Sequence, residues 1–457
     1  MPNSAAGSLM SRITLKTEDF WNSRLYFPVM LAVTAISMLT GNVVPSTVLL
    51  AALCGWLLVF CRDILAAATP FLMIFLLSTL HYSSLSVFLP CAPLAVLPLG
   101  GLLVHLLRWR APIVLGRSAL PLAAVTVATV LGGLGTIPSK EYFSPLSLYY
   151  TLGLGPGLLV TYLLLRSDLE APRPYDLLHR LMQLLYTLGL AMVLAIACFY
   201  MKNWAEFSRD WTIPCILFRN YAATILVSTM PAVFYMVRRS RWHLAALLLW
   251  AMALFFSGSR TALLFGTVML LLGMIFLTWQ KVLPLWVFFI TLALAGTMVL
   301  LLGPQIYDIF FGTRGDPDHF ISPSDSRWTL LARGWKDFVH HPLFGIGLGN
   351  QQNIDLFSGV PGSMVFYHNA VVQVMGSMGL AGLAAYGLLL ASRMRLALRG
   401  GEAGLVVGMF YAGMLLVSMT NPGLFCPLPN ALLTVLCFAV LEKYTDDSAQ
   451  PLAKSVG

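Results

Sequence analysis

Two arginines and a histidine stand where an ionisable side chain meets apolar sequence. Arg219 lies just inside an apolar run, in Leu217-Phe218-Arg219-Asn220-Tyr221, and Arg260 lies between two such runs, in Ser257-Gly258-Ser259-Arg260-Thr261-Ala262. A guanidinium keeps its charge when partly desolvated, and its planar fork matches a pair of phosphate oxygens. Ionisable groups set against a membrane span are costly and mark functional sites by default, so the pair suits a phosphate-bearing ligand at the membrane rim. Each arginine also has a plainer reading, in which it reaches lipid headgroups or pairs with a loop carboxylate. At Arg260 the flanking Ser257, Gly258 and Ser259 leave room for a ligand and supply donors, which headgroups do not require. His368, in Phe366-Tyr367-His368-Asn369-Ala370, offers an imidazole that can take a proton from a hydroxyl nucleophile, with Tyr367 and Asn369 beside it to orient the ring. Taken alone, it reads equally as an interfacial histidine with a satisfied hydrogen bond.

Other chemistries find less support. His340 and His341 are adjacent, so on a helix their rings diverge; HExxH and CxxC are absent, and the seven cysteines fall mostly within apolar runs. No metal and no cofactor is expected. Carboxylates are missing from the middles of the apolar runs, where ion-coupled transporters usually keep them. Walker and dinucleotide glycine patterns are missing too. The glycines of Gly345-Ile346-Gly347-Leu348-Gly349-Asn350 have no strand before them and read as a tight turn at the membrane.

The elements that must position these residues are membrane spans. Of 457 residues, 58% are hydrophobic and 10% charged, against about 25% charged in a soluble domain. Apolar runs of about 17 to 25 residues, enough to cross about 30 Å of hydrocarbon as helix, fall near 25–41, 43–61, 64–82, 87–107, 113–135, 145–165, 178–200, 215–237, 242–257, 261–279, 282–303, 369–392, 404–420 and 428–443. The expected fold is all-α, a polytopic transmembrane bundle of about 12–14 spans.

Basic clusters at Arg62, Arg108 to Arg117, Arg166 to Arg180, Arg238 to Arg241, Lys281, Arg393 to Arg399 and Lys443 all fall on one side of this pattern, which assigns that side and both termini to the cytoplasm. The whole formal excess of +9 lies there, so it is a topology signal and points to no nucleic acid. Residues 1–24 form an uncleaved cytoplasmic tail, 25–303 and 369–443 the spans, 304–368 one large extracytoplasmic loop, and 444–457 a second tail. The loop is out of scale with the other connections, and long loops concentrate function. Its centre reads as an amphipathic helix capped by Asp325 or Ser326, with Trp328, Leu331, Trp335 and Phe338 on one face, Arg333, Lys336 and Asp337 on the other, and Pro342 ending it. Such a helix either lies in the membrane interface with its tryptophans at headgroup level or packs on the rest of the loop.

Ser257-Gly258-Ser259-Arg260-Thr261 after an apolar span, then Arg327-Trp328 through His341-Pro342-Leu343-Phe344-Gly345-Ile346-Gly347, then His368-Asn369 opening a glycine-rich span, together resemble the O-antigen ligase and O-antigen polymerase superfamily over roughly residues 215–390. That resemblance implies a GT-C-like membrane glycosyltransferase of the bacterial inner membrane, acting on its outer side without a metal. Its donor would be an undecaprenyl-diphosphate-linked glycan and its acceptor a lipid A core or another glycan. Arg260 matches the family's Ser-Arg motif, His368 its His-Asn motif, and Arg219 a more variable arginine position. The resemblance implies arginines that hold the diphosphate and a histidine required for transfer. Arg327, Lys336, Asn369 and Ser259 are expected to assist in substrate binding, and the tryptophan-bearing helix is a candidate gate toward membrane lipid. The competing reading is a flippase for polysaccharide or lipid-linked oligosaccharide, which should carry cations along a central cavity in several spans.

Overall fold

The computed structural model describes residues 3–80, 89–134, 145–210, 216, 218–305, 307, 327–348, 367–421, 423–424 and 428–454. In chain order the helices are α1 (Asn3–Asn22), α2 (Tyr26–Thr40), α3 (Val43–Phe60), α4 (Leu65–Leu80), α5 (Val96–Arg108), α6 (Ala119–Leu134), α7 (Pro145–Leu152), α8 (Leu158–Asp168), α9 (Leu177–Lys202), α10 (Trp204–Asp210), α11 (Arg219–Arg239), α12 (Leu244–Phe256), α13 (Arg260–Trp279), α14 (Leu285–Leu301), α15 (Arg327–His340), α16 (Ala370–Arg399), α17 (Gly401–Ser418) and α18 (Leu428–Lys454). Most of the apolar runs read from the sequence coincide with one helix each, while the run 145–165 is shared by α7 and α8 with a π-helical turn at Gly153–Gly157 between them. Among the described residues eight helices are long and apolar enough to cross a membrane, or nine if the bent α1 and α2 pair counts as one span, and four further apolar helices are shorter. The protein is thus a polytopic helical membrane protein. The cytoplasmic tail expected at 1–24 is itself helical, with α1 meeting α2 at 82°.

Contacts divide the chain into two compact units, one of residues 1–113 and 167–258, the other of 114–166 and 259–457. In the first, α11 is buried along nearly its whole length and packs on α9 and α12. Two cations of this unit are anchored inward: Arg173 pairs with Asp63 at 3.2 Å and with Asp168 at 2.8 Å, and Arg180, in the first turn of α9, lies on the ring of Trp21 at 4.5 Å.

In the second unit α16 is the central element, packed on α6, α15, α17 and α18. The glycine-rich span that His368-Asn369 opens is a broken helix. Gly379 has φ 61° and ψ −151°, which interrupts the intrahelical hydrogen bonds, and the loop segment that follows α15 repairs them. Ile346 and Gly347 donate their N–H groups to the carbonyls of Gly376 and Ser377 at 3.0 and 2.9 Å, while Leu380 and Ala381 donate to the carbonyls of Pro342 and Leu343 at 2.8 and 3.1 Å. Irregular backbone at membrane depth is tolerable only where protein satisfies it. The Pro342–Gly347 segment therefore does more than turn: its backbone fills a gap in a span. A side chain at Gly345 (φ 67°) would collide with the backbone of Ser377 and Met378, and one at Gly379 with that of Leu343.

Candidate functional site

Within the second unit, the starts of α13 and α16 meet the end of α17. Ser259 caps α13, its Oγ accepting from Ala262 N at 3.4 Å. Asn369 caps α16, its Oδ1 accepting from Val371 N at 2.9 Å and Val372 N at 3.1 Å. The same Asn369 donates through Nδ2 to the carbonyl of Met419 at 3.1 Å. One residue on, the Thr420 hydroxyl lies 3.0 Å from that of Thr261, to which Asn421 Nδ2 also donates at 3.4 Å. One polar seam thus ties Arg260, through its neighbour Thr261, to His368, through its neighbour Asn369. Both helix starts bring backbone N–H groups and the positive end of a helix dipole toward the seam.

At this seam Ser259 and Thr261 are buried while the Arg260 side chain is exposed. His368 is half-buried and has φ 53°, a left-handed conformation uncommon outside glycine. Strain of that kind costs on the order of 1–3 kcal/mol and gathers at functional sites.

The loop helix supports the histidine from the other side. Tyr367 is buried, its hydroxyl donates to Asp337 Oδ2 at 2.7 Å, and Arg333 Nε holds Asp337 Oδ1 at 3.2 Å. Burial, reinforced by the Asp337 charge, pushes the Tyr367 phenol well above its usual pKa. Gln373 accepts from Tyr367 N at 3.1 Å and donates to Ser377 at 2.9 Å, linking the histidine's approach to the break in α16. Asp337 does not take the solvent face expected of it: it is 6% exposed and, with Leu330 and Gly334, belongs to the face packed on α16. A carboxylate bonded to both an arginine and a tyrosine can be buried, which helical periodicity alone does not reveal. The tryptophan face is the free one, with Trp328 79% and Trp335 57% exposed. One face of α15 thus packs, on the span α16, and the aromatic face is presented outward.

The seam brings Ser259, Arg260, His368 and Asn369 together. Lys336 is exposed on α15, and Arg327 opens that helix, its side chain outside the described residues, as are Asp325, Ser326 and His319. Arg219 belongs to the first unit, where it opens α11. Thr261, Thr420 and Asn421 are additions that sequence reasoning passed over. Their signal is the polar Thr420-Asn421 followed by Pro422-Gly423 at the end of an apolar run. Among the described residues no group of three or more His, Cys, Asp or Glu side chains could hold a metal.

The seam thus gathers two capped helix starts, an arginine and a strained histidine in a polytopic helical membrane protein. Residues 244–387 match the O-antigen ligase family model, which spans α12 to α14, the loop helix and the broken first half of α16. This segment is therefore similar to the O-antigen ligase family, whose members are glycosyltransferase-like enzymes, and the resemblance to the ligase and polymerase superfamily is supported over it. No curated protein matches the chain.

Proposed function

We propose that the protein is a membrane glycosyltransferase that moves a glycan from undecaprenyl diphosphate to an acceptor hydroxyl on the extracytoplasmic face of a bacterial inner membrane. The acceptor oxygen attacks the anomeric carbon, the bond from that carbon to the diphosphate oxygen breaks, and the electron pair leaves on the diphosphate. His368 takes the hydroxyl proton. Arg260 and the N-terminal ends of α13 and α16 stabilise the charge that develops on the leaving group. Arg219 is assigned to the same diphosphate on sequence grounds alone. Arg327 and Lys336 extend the phosphate contacts, Asn369 and Ser259 shape the seam, and no metal takes part. The acceptor is a lipid A core if the enzyme is a ligase, and a second glycan if it is a polymerase.

The observation that carries this reading is the seam itself, in which an exposed guanidinium and a strained imidazole share hydrogen-bonded neighbours on two helix starts. Its test is Arg260→Glu in reconstituted vesicles. Affinity for the lipid-linked donor should fall about 10²-fold or more, with the melting temperature unchanged; unaltered donor affinity would remove the arginine from the site. Glycan profiles of a deletion strain decide the acceptor, since a ligase leaves the anchor without long chains and a polymerase leaves single capped repeats.

A further inference from the structure

The helix α1 carries exposed apolar side chains although it is not apolar enough to span a membrane alone. At 3.6 residues per turn its side chains from Leu9 onward fall on four faces. Thr14, Thr17 and Trp21 form the face docked on the protein. Trp21 is buried against Tyr26, the Arg108 guanidinium donates to the Thr14 hydroxyl at 2.8 Å, and the Trp56 indole donates to that of Thr17 at 3.1 Å. A quarter turn to one side come Leu9, Ile13 and Phe20, of which Leu9 is exposed and the other two half-buried. A quarter turn to the other side come Ser11, Glu18 and Asn22. Arg12, Leu15, Lys16 and Asp19, all exposed, take the remaining face, away from the protein. An apolar and a polar face therefore lie opposite each other, with the docked face between them.

The spans fix the tilt and depth of this helix. It meets α2 at 82°, so where α2 runs across the bilayer α1 lies along its plane. Trp56 is 48% exposed on α3, four residues, about 6 Å, before the end of that span. At the end of α5, the Arg108 guanidinium lies over Trp109 at 4.6 Å. Tryptophans near the ends of spans sit at headgroup level. Because α1 is bonded to Trp56 and to the arginine that stacks on Trp109, it lies at that level too. There its faces match the two phases, with Leu9, Ile13 and Phe20 toward the acyl chains and Ser11, Glu18 and Asn22 toward water. Arg12 and Lys16, next to the apolar face, reach headgroup phosphates, and exposed Arg24, Arg62 and Arg110 gather at the same end of this unit. Of the nearby acids, Asp63 is taken up by Arg173, which leaves Asp19 and half-buried Glu18 against five exposed cations. We propose that α1 is an in-plane anchor that lies in the membrane interface and engages anionic phospholipid through Arg12 and Lys16. The basic loops assign that leaflet to the cytoplasm, and the placement does not depend on the glycosyltransfer reading.

The test reads the depth of α1 in the full-length protein, reconstituted in vesicles of phosphatidylcholine alone or of equal parts phosphatidylcholine and phosphatidylglycerol. Nitroxide labels are placed on single introduced cysteines, Leu9→Cys and Ser11→Cys, with the unsubstituted chain as background; both positions are exposed, so the melting temperature should not change. Collisions with oxygen report hydrocarbon, and collisions with a neutral nickel chelate report water. The ratio of oxygen to chelate collisions should be several-fold higher at Leu9→Cys than at Ser11→Cys. Phosphatidylglycerol should raise the Leu9→Cys ratio further, and Arg12→Glu combined with Lys16→Glu should remove that rise. Equal chelate access at the two positions would put α1 in water and overturn the anchor. A Leu9→Cys label shielded from both reagents would overturn it in favour of a protein partner on that face. A ratio indifferent to phosphatidylglycerol and to the charge reversals would overturn the engagement of anionic lipid.

Discussion

The chemistry rests on side chains whose neighbours hold them in unusual positions. His368 is placed by its flanks: Tyr367 is tied down on one side by Asp337, and Asn369 is fixed on the other as a helix cap that also grips α17. Tyr367 gives this support a pH signature. Only the protonated phenol donates to Asp337, and burial beside that carboxylate raises the phenol's pKa in the folded state. An acid whose folded pKa lies above its unfolded value stabilises the fold fully below the unfolded value, near pH 10, and progressively less above it. Docking of α15 should therefore be insensitive to this group up to about pH 10 and weaken beyond. Tyr367→Phe should cost about 1–3 kcal/mol at neutral pH, by leaving a buried acceptor short of a donor, and should abolish this alkaline limb. Hydrogen exchange of residues 327–340 across pH checks both outcomes.

At the scale of elements, the unexpected device is the repaired break in α16. Six loop residues lend two N–H groups and two carbonyls to a helix that has lost its own partners at Gly379. Gly345→Val combines a left-handed backbone with a collision against Ser377, so it should destabilise the protein by about 2–4 kcal/mol. It should loosen the loop segment and the first half of α16 together, read as increased exchange at 342–347 and 370–379. The two halves of this device lie apart in sequence, and no local pattern announces that a glycine-rich span and a Gly-x-Gly loop share hydrogen bonds. Each reads alone as close packing or as a turn. The spans themselves are legible because a run of apolar residues has few fates other than a membrane helix. Arg260 and His368 are legible because charge beside such a run is conspicuous. Thr261, Thr420 and Asn421 are neutral and small, so only their meeting in the fold marks them, and Asp337 is hidden because partners distant in sequence make its burial possible.

For the whole molecule, the positive charge is a statement about topology, with the excess of basic residues confined to loops assigned to the cytoplasm. Both termini and the Arg393–Arg399 end of α16 are expected on that side, with residues 327–348 and the seam on the other. The described cysteines, Cys54, Cys61, Cys91, Cys198 and Cys437, are buried, so their background in thiol labelling should be low. A cysteine placed at exposed Lys336 should react with a membrane-impermeant reagent in intact cells, and one placed at exposed Arg399 only after permeabilisation. The reverse pattern would invert the orientation and put the seam on the wrong side for an extracytoplasmic donor.

Whether the seam forms a glycosidic bond, as proposed, is decided by transfer from a polyprenyl-diphosphate-linked glycan to its acceptor by purified protein in vesicles. The wild type should generate glycosylated acceptor and free polyprenyl diphosphate. His368→Ala should retain the fold and the donor affinity while its transfer rate falls about 10²–10⁴-fold. Full transfer by His368→Ala, or donor crossing the bilayer with no new glycosidic bond formed by the wild type, would contradict the claim.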